Sequence, residues 1–348
     1  MKKPTKGSLP ARTCGTVLLI LLAMYGGGCG KKSPRDQSPA VLTIGLVFDV
    51  GGRGDKSFND AAYRGLERAK KELGINFEYL EPGPGADREA ALRQFANRPE
   101  IGLIFGVGFI FTDDITSVAR EFPGKHFGCV DYTYDSTKPL PPNLVALEFK
   151  EEEGSFLVGA LAALITKTNV IGFVGGMQSP LIKKFEVGYV SGAKYANPGC
   201  DVLVAYAGIT GDAFKNPGKG KELALGQYGR GADIIYHASG VTGLGVFEAA
   251  REKHKLAIGV DSDQYLEAPG YILTSMIKVV DNSIYEIIKA EKEGKFAGGQ
   301  AVMFDIRSKG VDYIYDEHNK ELIPDQVRAR VEEIRGKIIS GEIKVSYQ

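Results

Sequence analysis

Acidic, amide and aromatic side chains gather at the ends of apolar runs in this chain, most densely in FDVGGRGDKSFND at residues 48–60. Asp49 closes one such run, and Asp55, Phe58, Asn59 and Asp60 follow a burst of glycines. Asp131 and Asp261 close two more runs, HFGCVD and KLAIGVD. An ionised carboxylate accepts hydrogen bonds from hydroxyls and ring N–H groups, each contributing about 1.5–3 kcal/mol when charge-assisted. The Asn59 amide can donate and accept at once, and an aromatic ring stacked on a flat ligand adds about 1–3 kcal/mol. This kit suits a nucleoside, and it suits a sugar equally.

Other chemistries lack their residues. The stretch GDAFKNPGK from Gly211 puts six residues between its glycines where a phosphate loop needs four, and Gly220 stands where a Ser or Thr would hold magnesium. Near Gly51 a phosphate would meet Asp49, Asp55 and Asp60. The acidic residues there do not have the spacing of an EF-hand loop, and His126, His237, His254 and His318 form no HExxH. No GxSxG elbow is present. Asp49 with Asp131 is the pair available for acid–base work, so a nucleoside hydrolase is the enzymatic alternative. The expectation is a binding protein with no catalytic residues, no metal and no cofactor.

The elements that must position these side chains come from a chain of 348 residues, 43% hydrophobic and 25% charged, a soluble globular composition long enough for two domains. Residues 1–28 stand apart. Lys2, Lys3, Lys6 and Arg12 precede the apolar run VLLILLAMY, which has the layout of a secretory signal and is short for a membrane span. Cys29 follows three glycines and resembles the lipid-bearing first residue of a bacterial lipoprotein, although Gly26 stands where Leu is usual. Residues 29–40, with Pro34 and Pro39 and no periodicity, read as a tether. Removing residues 1–28 leaves 39 basic against 43 acidic side chains, a net charge of −4, which argues against nucleic acid as a partner. Cys129 and Cys200 fall in different halves of the body and are expected to be free thiols.

From Val41 onward strand and helix patterns alternate, which predicts parallel sheets with crossover helices. The pattern also repeats. Residues 43–65, TIGLVFDVGGRGDKSFNDAAYRG, align without a gap on residues 170–192, VIGFVGGMQSPLIKKFEVGYVSG, and Asp131 recurs 130 positions on as Asp261. Two doubly wound α/β lobes are therefore expected, 41–145 with about 263–300 returning to it, and 146–262 with about 301–348 packing on it. Hinge crossings are expected near Tyr132–Leu147, Ser262–Thr274 and Gln300–Arg307. Ligands of open α/β sheets bind beyond the carboxyl ends of the strands, so two facing lobes would line one cleft with Asp49, Asp131, Gly240 and Asp261.

DVGGRGDKSFND, the GGM ending at Met177 with Phe185 downstream, NPGKGKELA at 216–224, GVDSDQ at 259–264 and TSMIK at 274–278 together resemble the basic membrane protein family. Its members are substrate-binding lipoproteins of ABC transporters, with the ribose-binding type of periplasmic-binding-protein fold (class I), and they include purine nucleoside receptors. The resemblance runs from Val41 to the C-terminus. It implies a monomer, lipid-anchored through Cys29 to the cell membrane and facing the periplasm or exterior, that closes on a nucleoside and docks on a permease. It further implies that Asp49 and Asp261 accept from ribose hydroxyls, Lys278 donates to the same sugar, Phe58 stacks on the base, and Asn59 with Asp131 reads the base edge. Phe214 is the candidate for the opposite ring, and Gly240, with Thr242, for backbone contacts. Competing readings make Asp49 a turn cap, Phe58 a core residue like Phe185, Lys278 a solvated helix charge, and Asp263 the ligand carboxylate in place of Asp261. Phe109, Phe111 and Tyr132 are expected to pack. The alternative on the same fold is a sugar-binding or adhesin-type surface lipoprotein.

Overall fold

The computed structural model describes residues 41–82 and 87–347. The signal segment, Cys29 and the tether lie outside the described residues. The chain first builds β1 (Thr43–Val47), α1 (Phe58–Leu73), β2 (Asn76–Leu80), α2 (Arg88–Ala96), β3 (Ile101–Val107), α3 (Thr112–Glu121), β4 (His126–Val130) and β5 (Leu144–Phe149). It then crosses to α4 (Glu151–Ile165), β6 (Val170–Met177), α5 (Pro180–Ala196), β7 (Asp201–Gly208), α6 (Pro217–Gly229), β8 (Ile234–Ala238), α7 (Thr242–Lys253), β9 (Leu256–Asp261) and β10 (Ile272–Lys278). It returns through α8 (Val280–Lys292) and β11 (Gln300–Phe304), and ends with β12 (Val311–Tyr313) and α9 (Asp325–Ser340).

Among the described residues two six-stranded sheets result, ordered β11-β5-β4-β3-β1-β2 and β12-β10-β9-β8-β6-β7. Every pairing is parallel except β10 with β12. The first five strands of each sheet share one order, which is the topological form of the sequence repeat. Central strands such as β1, β3 and β8 are continuous buried apolar runs, as helices on both faces require, whereas the edge strands β2 and β7 are partly exposed.

Sheet membership departs from the expected boundaries in three places. β5 stays in the first sheet to Phe149, past residue 145. β10 pairs with β9 in the second sheet although it falls in the segment expected to return to the first lobe. β11 pairs with β5 in the first sheet although it begins the segment expected on the second. An apolar strand carries no address for its sheet, and the pairing partner decides. The crossings consequently sit at Phe149–Glu151, at Lys278–Val280 and just after Phe304; of the three expected hinges only Gln300–Arg307 contains one.

Helix α4, EEEGSFLVGALAALI, is apolar all round after its first turn, as a helix buried between α5, α9 and the second sheet must be. Close approach to α5 needs glycine at the contact: a Cβ on Gly192 would stand 2.0 Å from the Phe156 carbonyl oxygen, and one on Gly159 2.1 Å from that of Tyr189. Cys129 and Cys200 are both free and buried.

Candidate functional site

A cleft lies between the sheets. It is lined at the carboxyl ends of β1, β4, β8, β9 and β10, and all eight expected ligand residues, Asp49, Phe58, Asn59, Asp131, Phe214, Gly240, Asp261 and Lys278, line it. Phe185 and Phe109 line it too, although sequence reasoning left both to packing. Phe111 and Tyr132 are buried in the first lobe.

Asp131 and Asp261, equivalent in the two lobes, both adopt left-handed backbone, with φ of 60° and 65°. That conformation is uncommon outside glycine and costs energy that the surrounding fold must sustain, a feature concentrated at functional sites. Asp261 Oδ2 accepts from the Ser57 hydroxyl at 2.6 Å, across the cleft. Its Oδ1 is buried and has no hydrogen-bond partner among the described residues. Burial pushes the Asp261 carboxyl up to about 7 against the pull of Lys278 and Ser57. Asp263 is exposed, accepts from the Tyr265 N–H and is not among the residues that line the cleft.

Asp49 is half-buried. Its Oδ1 accepts from the N–H of Val50 at 2.6 Å, so the turn-cap reading holds for one oxygen. Burial, with the Asp131 carboxylate adding to it, raises Asp49 to about 7 although the Val50 bond opposes. The other oxygen rests against Gly108, whose φ is 108° and whose added Cβ would stand 2.2 Å from Asp49 Oδ2. Gly108→Ala is therefore expected to cost about 1–3 kcal/mol of stability, checked by denaturant unfolding, and to weaken ligand affinity by turning the Asp49 carboxylate aside.

Asn59 is 2% exposed. Its Oδ1 accepts from the Asp49 N–H and its Nδ2 donates to Asp55, which leaves one amide hydrogen for the cleft. Asp55 itself is occupied at the start of α1, accepting from the N–H groups of Ser57, Asn59 and Asp60. The Phe214 ring covers Gly176, where a Cβ would come within 2.3 Å of it. Thr242 fixes the turn carrying that ring, donating to Ala213 O and accepting from Asn216 N, both at 2.8 Å.

Lys278 ends a strand and is 1% exposed, so it is no solvated helix charge. Its Nζ lies 2.6 Å from Asp131 and 2.9 Å from Glu151, and about 5 Å from the ring centres of Phe58 (5.1 Å) and Phe149 (4.9 Å). Burial works against its charge, but Asp131, Glu151 and Asp261 outweigh it and hold Lys278 above the ordinary lysine range. Burial lifts Asp131 to about 6 while Lys278 draws it down. Glu151 is pushed up by burial, yet Lys278 and Lys184 together hold it below the usual carboxylate range. Sequence reasoning missed Glu151 and Ser57; the available signal for Glu151 was a run of three acidic residues opening an apolar helix. Further bonds join the lobes beside this site, from Ser262 Oγ to Ser57 O at 3.1 Å and from Arg64 to Ser262 Oγ at 2.7 Å.

With donors, acceptors and rings converging on one cleft, and among the described residues no group of three or more metal-binding side chains, the arrangement can grip a flat molecule bearing hydroxyls. A family profile described as ABC transporter substrate-binding protein, PnrA-like, matches residues 43–348. An ABC transporter nucleoside-binding protein, BmpA, of Lactococcus lactis is 35% identical over 89% of this chain and 93% of its own length. An uncharacterized lipoprotein of Pyrococcus horikoshii is 34% identical over 96% of this chain and 87% of its own. The crystal structure of an ABC transporter solute-binding protein from Aeropyrum pernix superposes with a TM-score of 0.80 at 29% identity, covering 88% of this chain and 94% of that one.

Proposed function

The chain belongs to the family of PnrA-like ABC transporter substrate-binding proteins, and from that premise we propose that it captures a purine nucleoside between its lobes and delivers it to a membrane permease. The observation that carries the ligand class is Asp261 Oδ1, a buried acceptor with no partner at the cleft wall. A buried carboxylate oxygen without a donor is costly, and a ribose hydroxyl satisfies it. Asp49 accepts from the same sugar. The Lys278 ammonium, shared between Asp131 and Glu151, also lines the cleft and donates to a sugar oxygen there. Phe58 and Phe214 hold the faces of the base, while the remaining Asn59 N–H, Asp131 and the Gly240 backbone meet its edges. The relative named for nucleoside binding supports the same class.

The chain acts as a binding protein without turnover, a monomer tethered by lipid at Cys29 after removal of residues 1–28; the relative named as a lipoprotein supports the anchor. Among the described residues no helix is long and apolar enough to cross a membrane. Melting the protein with guanosine, inosine, adenosine, uridine or ribose, with chromatography for released base, tests the reading. A purine nucleoside is expected to raise the melting temperature, by linkage worth about 2.7 kcal/mol at a hundredfold excess over Kd, with no free base formed. Failure of every nucleoside to shift melting, or release of base, contradicts it.

Asp49 and Asp261 also predict a pH dependence. Each carboxyl titrates near 7 in the folded protein. Sugar hydroxyls donate to the ionised form and so lower these pKa values on binding. Affinity is therefore expected to rise from about pH 5.5 to about pH 7.5, with protons released on binding. Calorimetry in two buffers of different ionisation enthalpy reads both effects; proton uptake would show the sign to be wrong.

A further inference from the structure

Lys278 is the one cation lining the cleft among the described residues, so the direction of its ammonium decides what the cleft can donate to a ligand. Its two close carboxylates come from different lobes. Asp131 follows β4 in the first lobe, whereas Glu151 opens α4 and Lys278 closes β10, both in the second. The 2.6 Å contact to Asp131 thus spans the cleft, and the 2.9 Å contact to Glu151 stays within one lobe. Parting the lobes would take Asp131 away with the first and leave Glu151 beside Lys278.

Glu151 is wholly buried and does not line the ligand cleft; it faces an adjoining chamber shared with Tyr134, Glu148 and Lys184. Lys184 Nζ, 3.2 Å away, fixes it from the far side and also donates to Phe149 O. Glu151 therefore stands behind the lysine with its own position set by α5. Its neighbour Glu153 does different work: it accepts from Ile306 N at 3.0 Å and pairs with Lys150 at 3.0 Å, tying two crossings together.

We propose that Glu151 is a positioning residue, which keeps the Lys278 ammonium aimed at the ligand's sugar hydroxyls whether or not the first lobe is in place. Lysine is a point charge on a flexible stem. Released from Glu151, the ammonium, which already meets both Asp131 oxygens at 2.6 and 2.7 Å, turns onto Asp261 and occupies the acceptor that the sugar needs. Glu151 is in this way a determinant of selectivity for ribose, although it touches no ligand. The proposal rests on the nucleoside reading above.

Guanosine and 2′,3′-dideoxyguanosine, titrated into the wild type, Glu151→Gln, Glu151→Asp and Glu153→Gln, provide the test. The ratio of the two affinities is the readout that a merely structural role would not move. In Glu151→Gln the guanosine affinity is expected to fall by about tenfold with the dideoxy affinity little changed, so the ratio collapses. Glu151→Asp keeps the charge but draws the ammonium back, and is expected to give an intermediate ratio; it carries the test if the glutamine variant does not fold. Glu153→Gln is expected to keep the wild-type ratio. An unchanged ratio in both Glu151 variants, or equal losses for both ligands, overturns the proposal alone. A wild type that binds neither compound removes the nucleoside reading and this proposal with it.

Discussion

Lys278→Met is expected to lower stability by about 3–5 kcal/mol, the penalty for removing one partner of a buried ion pair. Asp131 is 5% exposed and Glu151 fully buried, and both would lose the ammonium that lies within 3 Å of each. The loss should depend on pH. Without Lys278 the folded-state pKa of Asp131 rises further above its unfolded value and Glu151 loses the pull that holds it below its own, and a carboxyl raised in this way stabilises the fold below its unfolded pKa and loses that contribution as pH rises through the folded one. The deficit is therefore expected to be smaller near pH 5 than near pH 8, as denaturant unfolding at the two pH values will measure. A flat deficit would mean that the carboxylates find other partners.

Asp261→Asn should separate binding from stability. An asparagine retains the shape and can accept from Ser57, but it presents an N–H₂ where the Oδ1 acceptor stands. The charge-assisted bond to a sugar hydroxyl is lost, about 1.5–3 kcal/mol, or roughly ten- to hundredfold in affinity. Stability should not follow. Burial lifts the Asp261 carboxyl to about 7, so above that pH the folded state holds an ionised group at a cost the neutral amide avoids. At about pH 8 the variant is expected to melt at or above the wild-type temperature while binding nucleoside more weakly. A variant that binds normally would remove Asp261 from the ligand set.

Much of this cleft was legible because strand ends are legible. Asp49, Asp131 and Asp261 each follow a buried apolar run, and the parallel α/β rule sends the ends of such runs to one face. The repeat points to two lobes, and it extends past Asp131 and Asp261 to Leu144–Phe149 and Ile272–Lys278, equivalent fifth strands whose place in the two sheets moves the crossings. The run at Gln300–Phe304 reads as a strand, but its sheet was not legible, since nothing in it distinguishes pairing with β5 from pairing with the second sheet. Glu151 escaped because an acidic residue in a first helical turn ordinarily complements the helix dipole at the surface. Only the fold brings Lys278, more than a hundred residues away, to meet it. Asn59 was expected to read the base edge with Asp131, and the structure also engages both ends of its amide with Asp49 and Asp55.

The central claim is that one purine nucleoside fills the cleft. Calorimetric titration of guanosine or inosine into protein freed of ligand by unfolding and refolding tests it most directly. Saturable binding of one nucleoside per chain is expected, with Kd well below about a millimolar and weakened in Asp261→Asn. No saturable heat from any nucleoside up to millimolar concentration, or binding that the Asp261 variant leaves untouched, would contradict it.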